Sequence, residues 1–363
     1  MEYILLIIPC LIFILLQRPR HRIGLFLIIP STALLIFVVS TGVRYCNSLD
    51  TEYLSYHYVK IRHVDKWDEY ISRTCTKTVI GSEGKEKTIT YDCSYVETHP
   101  DYWILIDNAG NEIYTDKAEF DRIKKRWGTK EVFIDMHRDF YTIDGDAQEY
   151  GWPGTVLTCE TYTTQHLYSN KVANSGSIFR DRAVDIKEAR ELGLFDYPDK
   201  KELNRPVLGD KLSETELQWV TWLNGYYGKS KQFHNFVLVY RGKSAEIAKT
   251  QEAYWQRGNK NELVTCIGLG KGRQINWVYC FSWQDGGKLE IELERWLMGK
   301  KTLDYKEYSL WLSKNLDKWT RKNFSEFDYI QVDMNLWQLF EILIIVLIFC
   351  GLYAFGYKKY IYR

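Results

Sequence analysis

The stretch Ile23–Val43 (IGLFLIIPSTALLIFVVSTGV) has no charged residue and consists mostly of Leu, Ile, Phe and Val. As a helix it reaches about 31 Å, enough to cross the hydrocarbon core of a bilayer. The preceding QRPRHR places Arg18, Arg20 and Arg22 at its N-terminal end. Basic loops are retained in the cytoplasm, so this helix is expected to run from inside to outside.

Two further apolar runs share the chain. Tyr3–Leu16 is shorter, about 21 Å as a helix. No basic residue precedes it and no small-x-small site follows, so a cleaved signal fits poorly. An N-terminal helical hairpin over residues 1–43 (3–16 and 23–43) fits better, with a re-entrant first segment left open. Leu336–Tyr357 is the third run, with Trp337 and Tyr357 at its ends, where interfacial aromatics belong. Glu341 sits in its first turns, within reach of the headgroups. Residues 358–363 carry Lys358, Lys359 and Arg363 and read as a cytoplasmic tail. The two basic clusters agree on topology. They place residues 44–335 in one extracytoplasmic loop of an integral protein of the cytoplasmic (inner) membrane, with the lipid bilayer as its first partner.

Charge is distributed unevenly. With the six basic and two acidic residues of the terminal segments set aside, 42 basic and 45 acidic residues remain between them, a formal charge near −3. No run of Lys and Arg stands out, which argues against nucleic acid as a partner and against a polybasic membrane patch. The many Tyr and Trp are spread along the middle section. They suit sheet surfaces and cores first, and stacking on carbohydrate or a partner protein second.

Within the loop, residues 44–170 read as a β-rich domain with one helix. Residues 50–70 alternate apolar and polar side chains, as in a strand with one exposed face. Asn108–Asn111 is a turn between strands, and Thr115–Trp127 is a helix capped by Thr115 or Asp116 and stopped by Gly128. Residues 171–212 read as a connector with a short helix at Lys187–Leu192. Residues 213–333 switch to alternating helices and apolar strands, an α/β layer. Ser213-Glu214-Thr215-Glu216 is a capping box opening a helix through Leu223. Phe236–Tyr240, Glu262–Gly268 and Ile275–Trp283 are strands. Ser244–Trp255, Leu289–Met298 and Tyr305–Phe324 are helices, Gly258 ending the first. The whole is an α+β membrane protein, with a C-terminal transmembrane helix over residues 336–357.

Eight cysteines are present. Cys10 and Cys350 fall in apolar runs. Six lie in the loop, and an oxidising compartment permits disulfides among them. Cys75 and Cys93 flank the open end of a β-hairpin around Gly81–Gly84 and form the one locally indicated pair. A zinc site with His99 as third ligand is the lower-ranked reading, since no CxxC spacing supports it.

Three segments hold candidate chemistry. Gly268-Leu269-Gly270-Lys271-Gly272 precedes a strand where a phosphate loop would open a helix, so a hairpin turn is expected. Phe133–Glu149 concentrates His137, Asp139, Asp144, Asp146 and Glu149. The plainer reading is a strand ending in a solvated acidic turn. As a metal site it would use His137, Asp139, Asp144 and Asp146 for a divalent ion such as calcium, although the EF-hand spacing is absent. Glu252–Glu262 places Asn259, Asn261 and Glu262 just before a buried strand, where loops of α/β sheets often bind ligands. The competing reading is a Gly-capped helix followed by a polar connector. No nucleophile elbow, HExxH or Walker pattern occurs.

The segments DTEYLSYHYVKIRHVDKWDEYISRTCT, YDCSYVETHPDYW and QEAYWQRGNKNELVTCIGLGKGRQINWVYCFSW resemble a family of membrane proteins found in tailed phages and bacteria, a likeness that implies lineage and carries no activity. Residues 213–320 are also similar to the TPM domain, a small α/β module displayed outside bacterial membranes on a terminal helix. The shared features are a capped helix, an apolar strand, then a helix with Trp255 and Gly258 before further strands. The acidic metal-supporting residues of that family find no aligned counterparts here. The expected function is a non-catalytic, disulfide-stapled interaction ectodomain with an envelope or membrane protein partner and no cofactor. The alternative is a metal-dependent hydrolase of the envelope, a TPM-like phosphatase.

Overall fold

The computed structural model describes residues 28–80, 86–128, 131–134, 146–174, 184–198 and 204–361. Two helices in it are long and apolar enough to cross a membrane: α1 (Ile28–Ser48) and a C-terminal helix whose apolar span is Leu336–Gly356. They pack together through Ile28, Ile36, Ile342, Val346 and Cys350. Where they meet the rest of the chain, Asn47 and Gln338 exchange hydrogen bonds of 2.9 and 2.7 Å. The sequence places the end of the first helix at Val43. The helix instead continues to Ser48, since Arg44–Ser48 (RYCNS) holds no Gly or Pro to stop it, and a strand follows directly. Tyr3–Leu16 lies outside the described residues.

That strand, β1 (Leu49–Val64), runs out of α1 without a loop. A side arm follows: β2 (Trp67–Ile71) and β5 (Tyr95–His99) form one antiparallel ladder, and β3 (Thr74–Ile80) and β4 (Glu86–Asp92) another. Cys75 and Cys93 are joined as a disulfide at the open end of the second ladder, with Cα atoms 5.8 Å apart. The zinc alternative is thereby corrected. Both thiols are consumed, and His99 instead stacks on Trp67 at 3.9 Å and meets Glu69 at 3.0 Å. Cys159, Cys266 and Cys280 are buried free thiols, and Cys46 is an exposed one.

The chain then lays down β6 (Tyr102–Asp107), β7 (Glu112–Thr115), α2 (Lys117–Trp127), β8 (Glu131–Ile134), β9 (Ala147–Gly151) and β10 (Thr161–Ser169). The sheet order is β7-β6-β1-β9-β8, with β10 on the first half of β1, from Leu49↔Ser169 to His57↔Thr161. Asp116 caps α2 and Gly128 closes it in the left-handed region. Phe120, Ile123 and Trp127 of α2 bury against Ile61, Leu105 and Tyr150 of the sheet. The alternation read at residues 50–70 does not hold along β1. Leu54, Ser55, Tyr56 and His57 are buried in succession, because this half of the strand is covered on both sides.

The second layer system comprises α3 (Ile186–Leu192), β11 (Val207–Leu208), α4 (Glu214–Lys231), β12 (His234–Arg241), α5 (Glu246–Tyr254), β13 (Glu262–Leu269), β14 (Ile275–Ser282), α6 (Lys288–Met298) and α7 (Tyr305–Asn315), and the C-terminal apolar helix that follows is α8 (Leu336–Ile361). Strands β11, β12 and β13 are parallel and β14 is antiparallel. Both faces are covered. Val237 and Val239 join α4, α6 and α7 in one cluster, and Phe236, Leu238 and Tyr240 join α5 in the other. Each such side chain contributes roughly 1.5–3 kcal/mol by leaving water. The stretch read as a connector is partly structural here: β11 is a strand of this sheet, and Leu194, Phe195 and Tyr197 pack on its α5 face. The helix expected over Tyr305–Phe324 stops at Asn315 and gives way to a 3-10 turn, Leu316–Lys318. The capping box opens α4 as expected, through Ser213 and Glu216.

Helix α4 reaches β1 through two glycines. A Cβ at Gly228 would lie 2.1 Å from the Ser55 carbonyl oxygen, and one at Gly225 would lie 2.4 Å from Thr161 Cγ2. His57 Nδ1 lies 3.2 Å from the Gly225 carbonyl oxygen. Gly228→Ala must push backbone from backbone, and overpacking of this kind costs about 1–3 kcal/mol. The expected outcome is a Tm several degrees lower for G228A in detergent, against little change for Gly42→Ala, where nothing lies within 4 Å. Equal Tm values would show that α4 and β1 do not meet in this way.

Candidate functional site

The connection from α5 to β13 forms one wall of a cleft of about 370 Å³. Its other walls come from the start of β1 (Asp50, Thr51, Tyr53), from Asn170 beyond β10, and from Tyr197. Tyr254 and Trp255 add aromatic surface at the end of α5, and no Lys or Arg is among the lining residues.

Helix α5 ends at Tyr254, earlier than Gly258, and an unusual backbone follows. Gln256, Arg257 and Gly258 have φ of 50°, 69° and 73°, three consecutive left-handed residues. For the two non-glycine residues this costs on the order of 1–3 kcal/mol each. Several interactions hold the strained run. Arg257 donates to Glu252 at 2.7 Å, and Trp283 Nε1 donates to the Gly258 carbonyl at 3.1 Å. Glycine at 258 meets a second demand, since an added Cβ would sit 2.7 Å from Glu262 Oε2.

Glu262 is completely buried behind the cleft wall. Its carboxylate accepts hydrogen bonds from the Asn259 backbone at 2.8 Å, from Asn259 Nδ2 at 3.0 Å and from the Tyr197 hydroxyl. Burial raises its carboxyl to about 7, against the downward pull of those three donors. The Tyr197 hydroxyl is held well above its ordinary range by burial and by the adjacent Glu262. Asn259 extends the network outward, with its Oδ1 accepting from the Tyr168 hydroxyl at 3.1 Å. Asn170 Nδ2 donates to Asp50 Oδ2 at 2.7 Å, and the Thr51 backbone donates to Asp50 Oδ1 at 2.7 Å.

The three binding residues read from the sequence therefore have different places. Asn259 lines the cleft. Glu262 buttresses it from behind. Asn261 is fully buried and pins the sheet to β1, its Nδ2 donating to the Tyr53 carbonyl at 2.5 Å. Asp50, Asn170 and Tyr197 complete the cleft from outside this segment. They lie far from the loop along the chain, and no local motif marks them.

Of the metal candidates, His137, Asp139 and Asp144 lie outside the described residues. Asp146 lies just before β9 and accepts the Asp65 backbone hydrogen bond at 2.8 Å through its carbonyl. Glu149 is an ion-pair partner, 2.8 Å from Lys60 and 2.9 Å from Arg62. Among the described residues, Glu69, Glu97 and His99 of the β2–β5 ladder bring donor atoms within 4.8 Å of one another. An imidazole with two carboxylates suits zinc or a similar transition metal better than the calcium expected from the acidic turn. This trio shares no residue with the cleft.

The chain matches no family model, no curated protein and no solved structure. The resemblances noted in the sequence thus find neither support nor contradiction there.

The Glu262 environment predicts a pH signature. Its folded carboxyl titrates near 7 and its ordinary value is 4.5. Between these values the unfolded chain has already released the proton that the folded chain keeps, so stability falls as pH rises through this window. The contribution is full below about pH 4.5 and lost above about 7, on the order of 3 kcal/mol. Glu262→Gln keeps an acceptor and removes the titration. Thermal unfolding across this window is expected to slope less for E262Q than for the parent. Parallel curves would show that Glu262 does not titrate there.

Proposed function

We propose that this chain is a membrane-tethered binding protein whose body is held at the bilayer by α1 and α8. Its cleft takes a small neutral ligand that offers hydroxyl groups on an apolar ring, as saccharides do. The observation that carries the reading is the left-handed run Gln256–Gly258, which spends conformational energy at the cleft rim and nowhere obvious in the core. The lining supports the ligand class. Tyr53, Tyr197, Tyr254 and Trp255 offer ring faces, and Asp50, Asn170 and Asn259 offer fixed polar atoms. The absence of Lys and Arg from the lining disfavours anions.

A non-catalytic role is supported by the same contacts. Asp50 and Asn259 are engaged with their neighbours, and Glu262, whose carboxyl is raised to about 7, does not line the cleft. The metal-dependent hydrolase has no observation in its favour in this cleft. An envelope or membrane partner remains part of the proposal, with the Tyr70, Ile80 and Val96 side chains of the arm as exposed apolar surface.

Two experiments test the proposal. Full-length protein in nanodiscs is titrated with neutral mono- and oligosaccharides, with Trp fluorescence as the readout. Binding is expected for the parent, and about tenfold weaker binding for Tyr254→Ala, which loses one stacking face. No response to any sugar, or an unchanged Y254A, would remove the saccharide reading. The basic flanks support a placement in the inner membrane with the body outside, and Cys46 reports on it. An impermeant maleimide is expected to label Cys46 on intact cells and to lose that label in Cys46→Ser. Labelling that appears only after permeabilisation would put the body inside.

A further inference from the structure

Beside the cleft, on the other side of the same connection, lies a second concavity of about 620 Å³. Three segments distant in sequence supply five cations to its lining: Lys229 and Lys231 from the end of α4, Lys260 from the α5–β13 connection, and Arg321 and Lys322 from beyond α7. No carboxylate is among the lining residues. From this arrangement we infer a binding site for a phosphate-bearing anion, either the phosphodiester of a lipid headgroup or a free phosphate compound.

The charge balance supports this. Lys260 and Arg321 share one buried carboxylate, Glu52, at 3.5 and 3.3 Å. Lys322 lies 3.4 Å from Glu326. Lys229 and Lys231 have no ion pair among the described residues. Two of the five can be attributed to the negative end of the α4 dipole, where basic residues are favoured. Lys260 and Arg321 converge on the single Glu52 carboxylate, so two cations face one negative charge and repel each other. The Lys260 ammonium is pulled below its ordinary value by burial and by the Arg321 charge, while Glu52 holds it up. A multiply charged oxyanion would relieve that repulsion through charge-assisted hydrogen bonds.

Position points to the membrane as one source of the anion. Phe324, in the groove's lining, meets the Tyr168 ring edge-on with centroids 5.6 Å apart, and Lys260 Nζ lies 4.2 Å from the centroid of that same ring. The next residue, Ser169, pairs with Leu49, the first residue after α1. Lys171 pairs with Asp328 at 2.9 Å, just ahead of the chain that enters α8. The groove thus lies at the end of the body from which both apolar helices depart.

The test uses the full chain in nanodiscs of zwitterionic phosphatidylcholine, alone or with phosphatidylglycerol. Pyrophosphate is titrated calorimetrically in the first, and Tm is compared between the two. The variant is Lys229→Gln with Lys231→Gln, both on the surface and outside the Glu52 pairs. Pyrophosphate is expected to bind the parent in a salt-sensitive way and the double variant about tenfold more weakly. A higher Tm in phosphatidylglycerol that disappears in the variant identifies the lipid as source, and pyrophosphate binding without it identifies a soluble phosphate. Neither effect in the parent, or equal effects in parent and variant, overturns the inference. The pyrophosphate measurement does not depend on the saccharide reading of the cleft.

Discussion

Backbone-to-backbone contact between α4 and β1, made possible by Gly225 and Gly228, is the constraint on which the rest of the molecule depends. Strand β1 emerges from a membrane-length helix, carries the first sheet along its length, and is gripped midway by the helix that opens the second layer system. Because glycine lets the two backbones approach, one strand serves both halves of the body. His57 on the Gly225 carbonyl and Asn261 on the Tyr53 carbonyl then lock the approach at two heights. Buried polar groups of this kind are costly when left unpaired, which makes the alignment specific as well as close.

The same strand organises both concavities. Asp50, Thr51 and Tyr53 face the aromatic cleft, while Glu52 anchors two cations of the basic groove. The α5–β13 connection divides its residues between them in a similar way. Asn259 belongs to the cleft and Lys260 to the groove, and Glu262 behind them holds Asn259 in place. Strain in residues 256–258 is sustained because Glu252, Trp283 and Glu262 leave the chain no relaxed path. A cleft lined without Lys or Arg and a groove lined by five cations therefore share one partition.

Much of the local structure is legible in the residues. The Ser213–Glu216 box, the Asp116 and Gly128 caps, the all-apolar core of β12 and the Cys75–Cys93 pair are signals carried within a few residues of where they act. The segment 252–262 draws attention for a local reason, polar residues before a buried strand, and it does form a cleft wall. Other features depend on distant packing. Continuous burial at Leu54–His57 arises because α4 and β10 cover β1, which its own alternation does not show. The helix expected to reach Phe324 breaks after Asn315, where Leu316 and Trp319 turn into the core.

The sequence by itself determined the two membrane-length apolar helices, the mixed α+β character and the helix boundaries set by caps, because hydrophobic runs and hydrogen-bonding termini act locally. Only the tertiary structure decided the sites. Counted along the chain, Lys and Arg form no patch in the body. Folding brings residues near 230, 260 and 320 to one groove and residues near 50, 170, 197 and 255 to one cleft. Such convergence follows from which strands pair and which helix can approach them, and no local pattern of side chains encodes it.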